Sequence, residues 1–238
     1  MIKLNIITFF SFLFLVNKVF AQQKFEVYTG ISESFRSLYY DKTDTSLQNI
    51  ISLSNGDTKV TSINFGARYR LFDKEYLSFK VGVEVNALGF MNRRITDVRW
   101  PSETTPDGYV FDPTLPHDIQ TGRKFIYIDM PLAGEIKKSW GKWTPNIQLE
   151  LVPQYLISIK SITKTEFGTE SNFKKPSDNI DRFNLALGAS VGSYYNLNDK
   201  WSIMINCFYR KQLLGIVDAP ITAKLYAFGC NAGVSFNL

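Results

Sequence analysis

The chain has 238 residues and carries 27 Lys and Arg against 22 Asp and Glu, a net charge of +5. That excess is small and scattered, which argues against a nucleic-acid partner, and two cysteines cannot build a disulfide framework. Aromatic residues make up 15% of the chain, a share that suits the interfacial girdles of a membrane barrel.

Residues 1–21 combine Lys3, an apolar run over 6–16 and Val19-Phe20-Ala21 before Gln22, the pattern of a cleaved secretory signal. The run is shorter than the roughly 20 residues that a spanning helix needs. Loss of Lys3 and Lys18 with this segment leaves 25 bases against 22 acids in residues 22–238, which form one domain by length. From Gln22 onward no apolar run approaches a helical span, so a membrane protein of this sequence must cross as strands.

Eight segments then alternate with period two. The first, residues 25–36, sets Phe25, Val27, Thr29 and Ile31 against Glu26, Tyr28, Gly30, Ser32 and Arg36. After a polar stretch over 37–59, residues 60–72 put Ile63, Phe65, Ala67 and Tyr69 opposite Asn64, Gly66, Arg68 and Arg70. A tight turn at 73–75 leads to residues 76–90, with Leu77, Phe79, Val81, Val83 and Val85 opposite Ser78, Lys80, Gly82, Glu84 and Asn86. The longest loop, 91–123, precedes residues 124–137, where Ile126, Ile128, Met130, Leu132 and Ile136 face away from Tyr127, Asp129, Ala133 and Glu135. Residues 139–142 turn the chain into 144–160, with Ile147, Leu149, Leu151, Tyr155, Ile157 and Ile159 outward and Gln148, Glu150, Gln154 and Ser158 inward. A Lys-rich loop over 161–180 leads to residues 181–197, a turn at 198–200 to residues 201–213, and a loop over 215–223 to the last segment, 225–238. In that segment Tyr226, Phe228, Cys230, Ala232, Val234 and Phe236 form the apolar face and Ala227, Gly229, Asn231, Gly233 and Ser235 the small, polar one.

Long loop and short turn alternate to the end, the rhythm of an all-β, eight-stranded antiparallel transmembrane up-and-down β-barrel with its long loops outside. Residues 225–238 are expected to close on 25–36, and Phe236 with Leu238 resembles the apolar carboxyl end read by barrel-insertion machinery. Pro131 and Pro153 remove ladder hydrogen bonds, and bulges are expected at both. Cys207 and Cys230 fall on outward positions of one hairpin. A bridge between them is optional; two small side chains facing lipid is the preferred reading, because cross-strand geometry often misses disulfide requirements.

A barrel of eight strands is filled by its own side chains. The inward set holds Glu26, Glu84, Asp129, Glu135 and Glu150 together with Arg36, Arg68, Arg70, Lys80, Lys137, Arg182 and Arg210. Enclosed charge is tolerable only when paired, so Arg68, Arg70, Lys80, Glu84, Asp129, Glu135, Glu150 and Arg210 are read as an interior ion-pair network rather than a proton relay or substrate site. The single histidine, His117, precedes Asp118 and lies downstream of Ser102, Thr104 and Thr105, which suggests a hydrolase acting on lipid or peptide bonds only if those residues converge. A surface-loop histidine is the favoured reading, and no metal or cofactor is expected. Trp100, Tyr109 and Phe111, stiffened by Pro101, Pro106, Pro113 and Pro116, are the candidates for recognition, and a lid over the barrel mouth is the competing role. Lys164, Lys174 and Lys175 are candidates for contact with lipopolysaccharide phosphates.

The segment F-I-Y-I-D-M-P-L-A-G-E-I-K at 125–137, the P-N-I-Q-L-E-L strand after it and the glycine-rich final hairpins resemble the PorT-like outer-membrane β-barrel proteins of bacteroidetes. The resemblance implies an eight-stranded outer-membrane barrel, mostly of unassigned activity, some of whose relatives assist protein secretion, and it carries over no catalytic residues. The expected function is therefore that of a non-enzymatic outer-membrane barrel. Its partners would be outer-membrane lipid, lipopolysaccharide and a protein met through the extracellular loops, in the service of secretion or envelope integrity.

Overall fold

The structure is a computed structural model that describes residues 24–40, 56–98, 104–105, 108–109, 114–177, 180–216 and 221–237. The proposed signal, Trp100, Ser102, Phe111 and Leu238 lie outside the described residues. In chain order the strands are β1 (Lys24–Tyr40), β2 (Val60–Asp73), β3 (Leu77–Met91), β4 (Thr104–Thr105), β5 (Gly108–Tyr109), β6 (Ile119–Asp129) and β7 (Leu132–Lys137). They continue with β8 (Trp143–Thr165), β9 (Gly168–Lys174), β10 (Phe183–Asn196), β11 (Trp201–Gln212) and β12 (Ile221–Asn237).

Neighbouring strands pair antiparallel around a ring, and β12 returns to β1 in an unbroken register from Lys24↔Asn237 to Tyr40↔Ile221. β6 and β7 are one barrel strand interrupted at Met130 and Pro131, and β9 pairs only with β8, so the ring counts eight strands. The predicted barrel forms, with the predicted closing pair. Closure leaves no free edge in the ring, which is the condition for a sheet to sit in lipid.

The wall is apolar outside and polar inside, the reverse of a soluble sheet protein. Ile63 and Leu149 are 73% and 68% exposed, while Lys80 and Glu135 are fully enclosed. Aromatic side chains cluster at both ends of the apolar wall. Near the short turns Trp143 packs on Tyr195 at 4.8 Å and Trp201 and Phe25 flank Phe236, each at 5.3 Å. Near the long loops Tyr226 stacks on Phe35 at 5.3 Å and meets Tyr209 at 6.3 Å. Two girdles bounding a hydrocarbon-facing band define a membrane-spanning barrel.

The prolines do not bulge. Asp129↔Gln154 on one side of the β6–β7 break and Leu132↔Leu151 on the other keep one register. Each proline still accepts: Gly82 N–H donates to the Pro131 carbonyl at 3.0 Å and Met130 N–H to the Pro153 carbonyl at 2.8 Å. Only the absent proline N–H is lost from the ladder, so no residue needs to be looped out. The shift falls instead between Ile126 and Tyr127, whose partners Ser158 and Leu156 skip Ile157, and a second falls between Arg70 and Phe72. One extra residue reverses the faces beyond it. Ile159, expected outside, therefore turns into the barrel at 6% exposure, and Ser158, expected inside, is only half-buried.

Two further expectations change. Much of the region expected as a loop over 161–180 is a hairpin extending the wall: β8 runs to Thr165, turns at Glu166 and Phe167, and returns as β9. Gly168 begins that return at φ +149°, a conformation that favours glycine. Cys207 and Cys230 are direct cross-strand partners and form a disulfide with a Cα–Cα separation of 4.1 Å. The register of β11 against β12 puts them opposite one another, so the preferred reading of two free thiols is corrected.

Candidate functional site

The inward faces of the strands build two linked ion clusters. Nearer the short turns, β3 brings Lys80 between β1 and β7, where its Nζ lies 3.2 Å from Glu26 and 2.6 Å from Glu135. Arg70 of β2 reaches the same two carboxylates at 2.9 and 3.3 Å. Tyr194 of β10 donates its hydroxyl to Glu135 at 2.8 Å, and Ser78 and Gln148 donate to Glu135 at 2.7 and 3.1 Å. At the rim below, Asp73 bonds Lys137 and lies 3.3 Å from Lys24.

The second cluster centres on Arg210 of β11. Its guanidinium faces Glu84 at 3.1 Å, Asp129 at 2.8 Å and Glu150 at 3.3 Å. Arg68 of β2 pairs with Glu150 at 2.7 Å, and its Nε donates to the Tyr28 hydroxyl, which donates in turn to Glu84 at 2.9 Å. Arg68 also donates to Gln148 at 3.0 Å, joining the two clusters. The carboxylates of Glu26, Glu84, Asp129, Glu135 and Glu150 outnumber the cations of Arg68, Arg70, Lys80 and Arg210 by one. Neutral donors cover the difference: Gln154 donates to both Asp129 oxygens at 3.0 Å, and Asn86 adds a bond at 3.3 Å. Because enclosed charge is stabilised by hydrogen bonds to its remaining lone pairs and protons, these amides belong to the network with the ions, although Arg210 Nε and Asn86 Oδ1 stay without a partner among the described residues.

All eight residues expected in the interior network thus lie inside the barrel and within it, together with Glu26. Arg182, also expected inside, is exposed in the bend before β10, where the strand's inward parity has not begun. Arg36 sits higher, pairing with Asp57 and stacking 3.9 Å over Phe90. Sequence reading missed what lies above Arg210. Leu88, Phe90, Phe125, Tyr127, Leu156 and Ile159 join Ile216, Leu225 and Ala227 in an apolar layer across the barrel toward the long loops. Parity points most of these side chains inward, but an apolar inward residue carries no mark of its own in the sequence.

Beyond this layer a cleft of about 450 Å³ opens between Arg36, Phe90, Asn92, Arg123 and Ser161. The loop candidates are only partly visible: Tyr109 belongs to the small β4–β5 pair, while Trp100 and Phe111 are outside the described residues. His117 Nδ1 lies 3.2 Å from the Val98 carbonyl, and the His117 backbone N–H donates to Glu166 at 2.6 Å. Thr104 and Thr105 are the backbone partners of Tyr109 and Gly108.

No family model matches the chain, and no curated protein matches it. Among solved structures it is similar to Ail, the attachment invasion locus protein of Yersinia pestis, at 14% identity and a TM-score of 0.40 over 91% of this chain and 100% of that one. It is also similar to Neisserial surface protein A, at 11% identity and a TM-score of 0.41 over 89% of this chain and 96% of that one. The outer membrane protein OprG from Pseudomonas aeruginosa matches at 9% identity and a TM-score of 0.44, over 90% of this chain and 95% of that one.

Proposed function

We propose that the protein is a non-enzymatic outer-membrane β-barrel, a filled and non-conducting support whose working surface is its long-loop end. The observation that carries this reading is the double filling of the interior, by ion clusters around Lys80 and Arg210 and by the apolar layer around Leu88. A wall so filled has no route for solutes. The export pattern of residues 1–21 supports an outer-membrane destination.

At the long-loop end the β8–β9 hairpin, the loop between β3 and β6 and the cleft beside Arg36 offer a surface for a protein partner or for lipopolysaccharide. Assistance to secretion or envelope integrity is the role that the PorT-like strand pattern of residues 125–137 favours. Photo-crosslinking from positions 100 and 109 in intact cells tests the recognition role: one recurrent adduct is expected, and none at either position would reject it. In planar bilayers the refolded protein should stay closed, and long-lived open channels would sink the filled-barrel reading. His117→Ala should leave envelope phenotypes unchanged, whereas loss of a lipid- or peptide-cleaving activity would restore the hydrolase alternative.

A further inference from the structure

On the outer wall near the long loops, Lys124 of β6 and Lys160 of β8 are direct cross-strand partners. Both side chains are half-buried, and like charges opposed across an antiparallel pair are destabilising. Lys164 lies four residues along β8 on the same face, opposite Gln120. Among the described residues no carboxylate pairs with any of the three. Lys124 extends across β3, where its neighbour Gly89 has no side chain to block it, and donates to the Thr61 carbonyl at 2.6 Å. Lys160 lies 5.2 Å from the Phe173 ring. Neither contact supplies a negative charge.

Among the described residues, other lysines of the outer wall have no like charge opposite them. Lys59 pairs with Glu33, and Lys211 and Lys224, which like Lys160 lie over rings, at 5.4 and 5.1 Å from Tyr226 and Tyr39, face Tyr226 and Ser37 across the strands. Beneath the Lys124–Lys160 pair come Ile126 and its partner Ser158, and below them the wall is apolar, with Ile128, Met130 and Ile157 39%, 54% and 41% exposed. A doubled cation at the upper end of a hydrocarbon-facing track matches an anionic headgroup carried on acyl chains.

We propose that Lys124, Lys160 and Lys164 hold the phosphate of a phosphorylated glycolipid in the outer leaflet, its acyl chains lying along Ile126, Ile128, Met130 and Ile157. The inference rests on the outer-membrane reading with the long loops outside. The phosphate supplies the counter-charge that the protein lacks between Lys124 and Lys160, and Lys164 extends the site away from the membrane toward a second anionic group on the same headgroup.

The test is thermal unfolding in phosphatidylcholine vesicles, with and without a phosphorylated glycolipid or its dephosphorylated form. In phosphatidylcholine alone, Lys160→Gln should unfold at a higher temperature than wild type, because the repulsion is gone. The phosphorylated glycolipid should reverse that order, and the dephosphorylated form should not. Its binding should weaken about tenfold or more in Lys124→Gln/Lys160→Gln, given the attraction of an anionic surface for each lysine, while Lys211→Gln/Lys224→Gln should keep wild-type binding. Equal responses of all variants, or equal binding of the dephosphorylated form, would overturn the site. Should the double variant fail to fold, the outward and exposed Lys164→Gln carries the same comparison. Protease protection separates the premise from the site: a chain that does not insert removes both, and one that inserts without the reversal removes the site alone.

Discussion

Around Lys80 and Arg210 the barrel is filled by ion pairs, whereas around Leu88 and Leu156 it is filled by hydrocarbon. The two fillings occupy the same kind of space, yet they obey different constraints. The apolar layer needs volume and shape, so its residues are exchangeable within limits of size. The charged region needs stoichiometry, because each carboxylate and guanidinium is stable there only against a named partner. Damage in the charged region should therefore depend on which partner is stranded, and damage above it on how much volume is lost.

Arg210→Ala should give the largest effect. It leaves Asp129 with no cation among the described residues and takes one from Glu84 and Glu150, which keep Arg68, and breaking a buried pair from one side costs about 3–5 kcal/mol. Urea titration of the folded barrel in vesicles would read the loss. Adding Asp129→Asn to that variant should recover part of it by removing the charge left without a cation, and an unchanged or worsened double variant would break the proposed contrast. Leu156→Ala comes next, at about 2–4 kcal/mol for a fully enclosed leucine. Leu156→Met should cost less than about 1.5 kcal/mol, since volume is nearly kept. If the methionine variant were as damaging as the alanine one, the upper layer would be as specific as the ion clusters, and the two regions would not differ in kind.

The same contrast explains what could be read from the chain. Arg68, Glu84 and Arg210 are legible as interior residues because charges recur at every second position of otherwise apolar strands. Their pairing is not legible: Glu84 meets Arg210 from 126 residues away because ring closure and strand tilt bring β3 and β11 to one level. Leu88, Phe125 and Leu156 share the inward parity, but an apolar inward residue carries no mark that distinguishes it from a lipid-facing one. Parity along the sequence places Ile159 on the wrong face because the skipped Ile157 has no local signature, while Pro131 and Pro153, which have a strong one, leave the register intact. Parity puts Cys207 and Cys230 on one face, and only the register of β11 against β12 joins them.

At the long-loop end, outside the membrane band, contacts are neither enclosed nor stoichiometric, and here the smallest effect is expected. Glu166 at the tip of the β8–β9 hairpin accepts from the backbone N–H groups of His117 at 2.6 Å and Asp118 at 3.0 Å, tying the hairpin to the loop that precedes β6. The His117 amide foremost, with the Asp118 amide, holds the Glu166 carboxyl below its ordinary value of 4.5. A carboxyl lowered on folding contributes attachment that is complete above its unfolded pKa and is lost as pH falls through the lowered, folded one. The hairpin should thus stay docked at neutral pH and loosen only in acid, below the ordinary glutamate range. Hydrogen exchange at the His117 and Asp118 amides, corrected for intrinsic rates, should show protection at pH 7 that disappears near the acid limit. Glu166→Gln should flatten that dependence while leaving the melting of the barrel unchanged, because the ion clusters around Lys80 and Arg210 do not involve the hairpin tip.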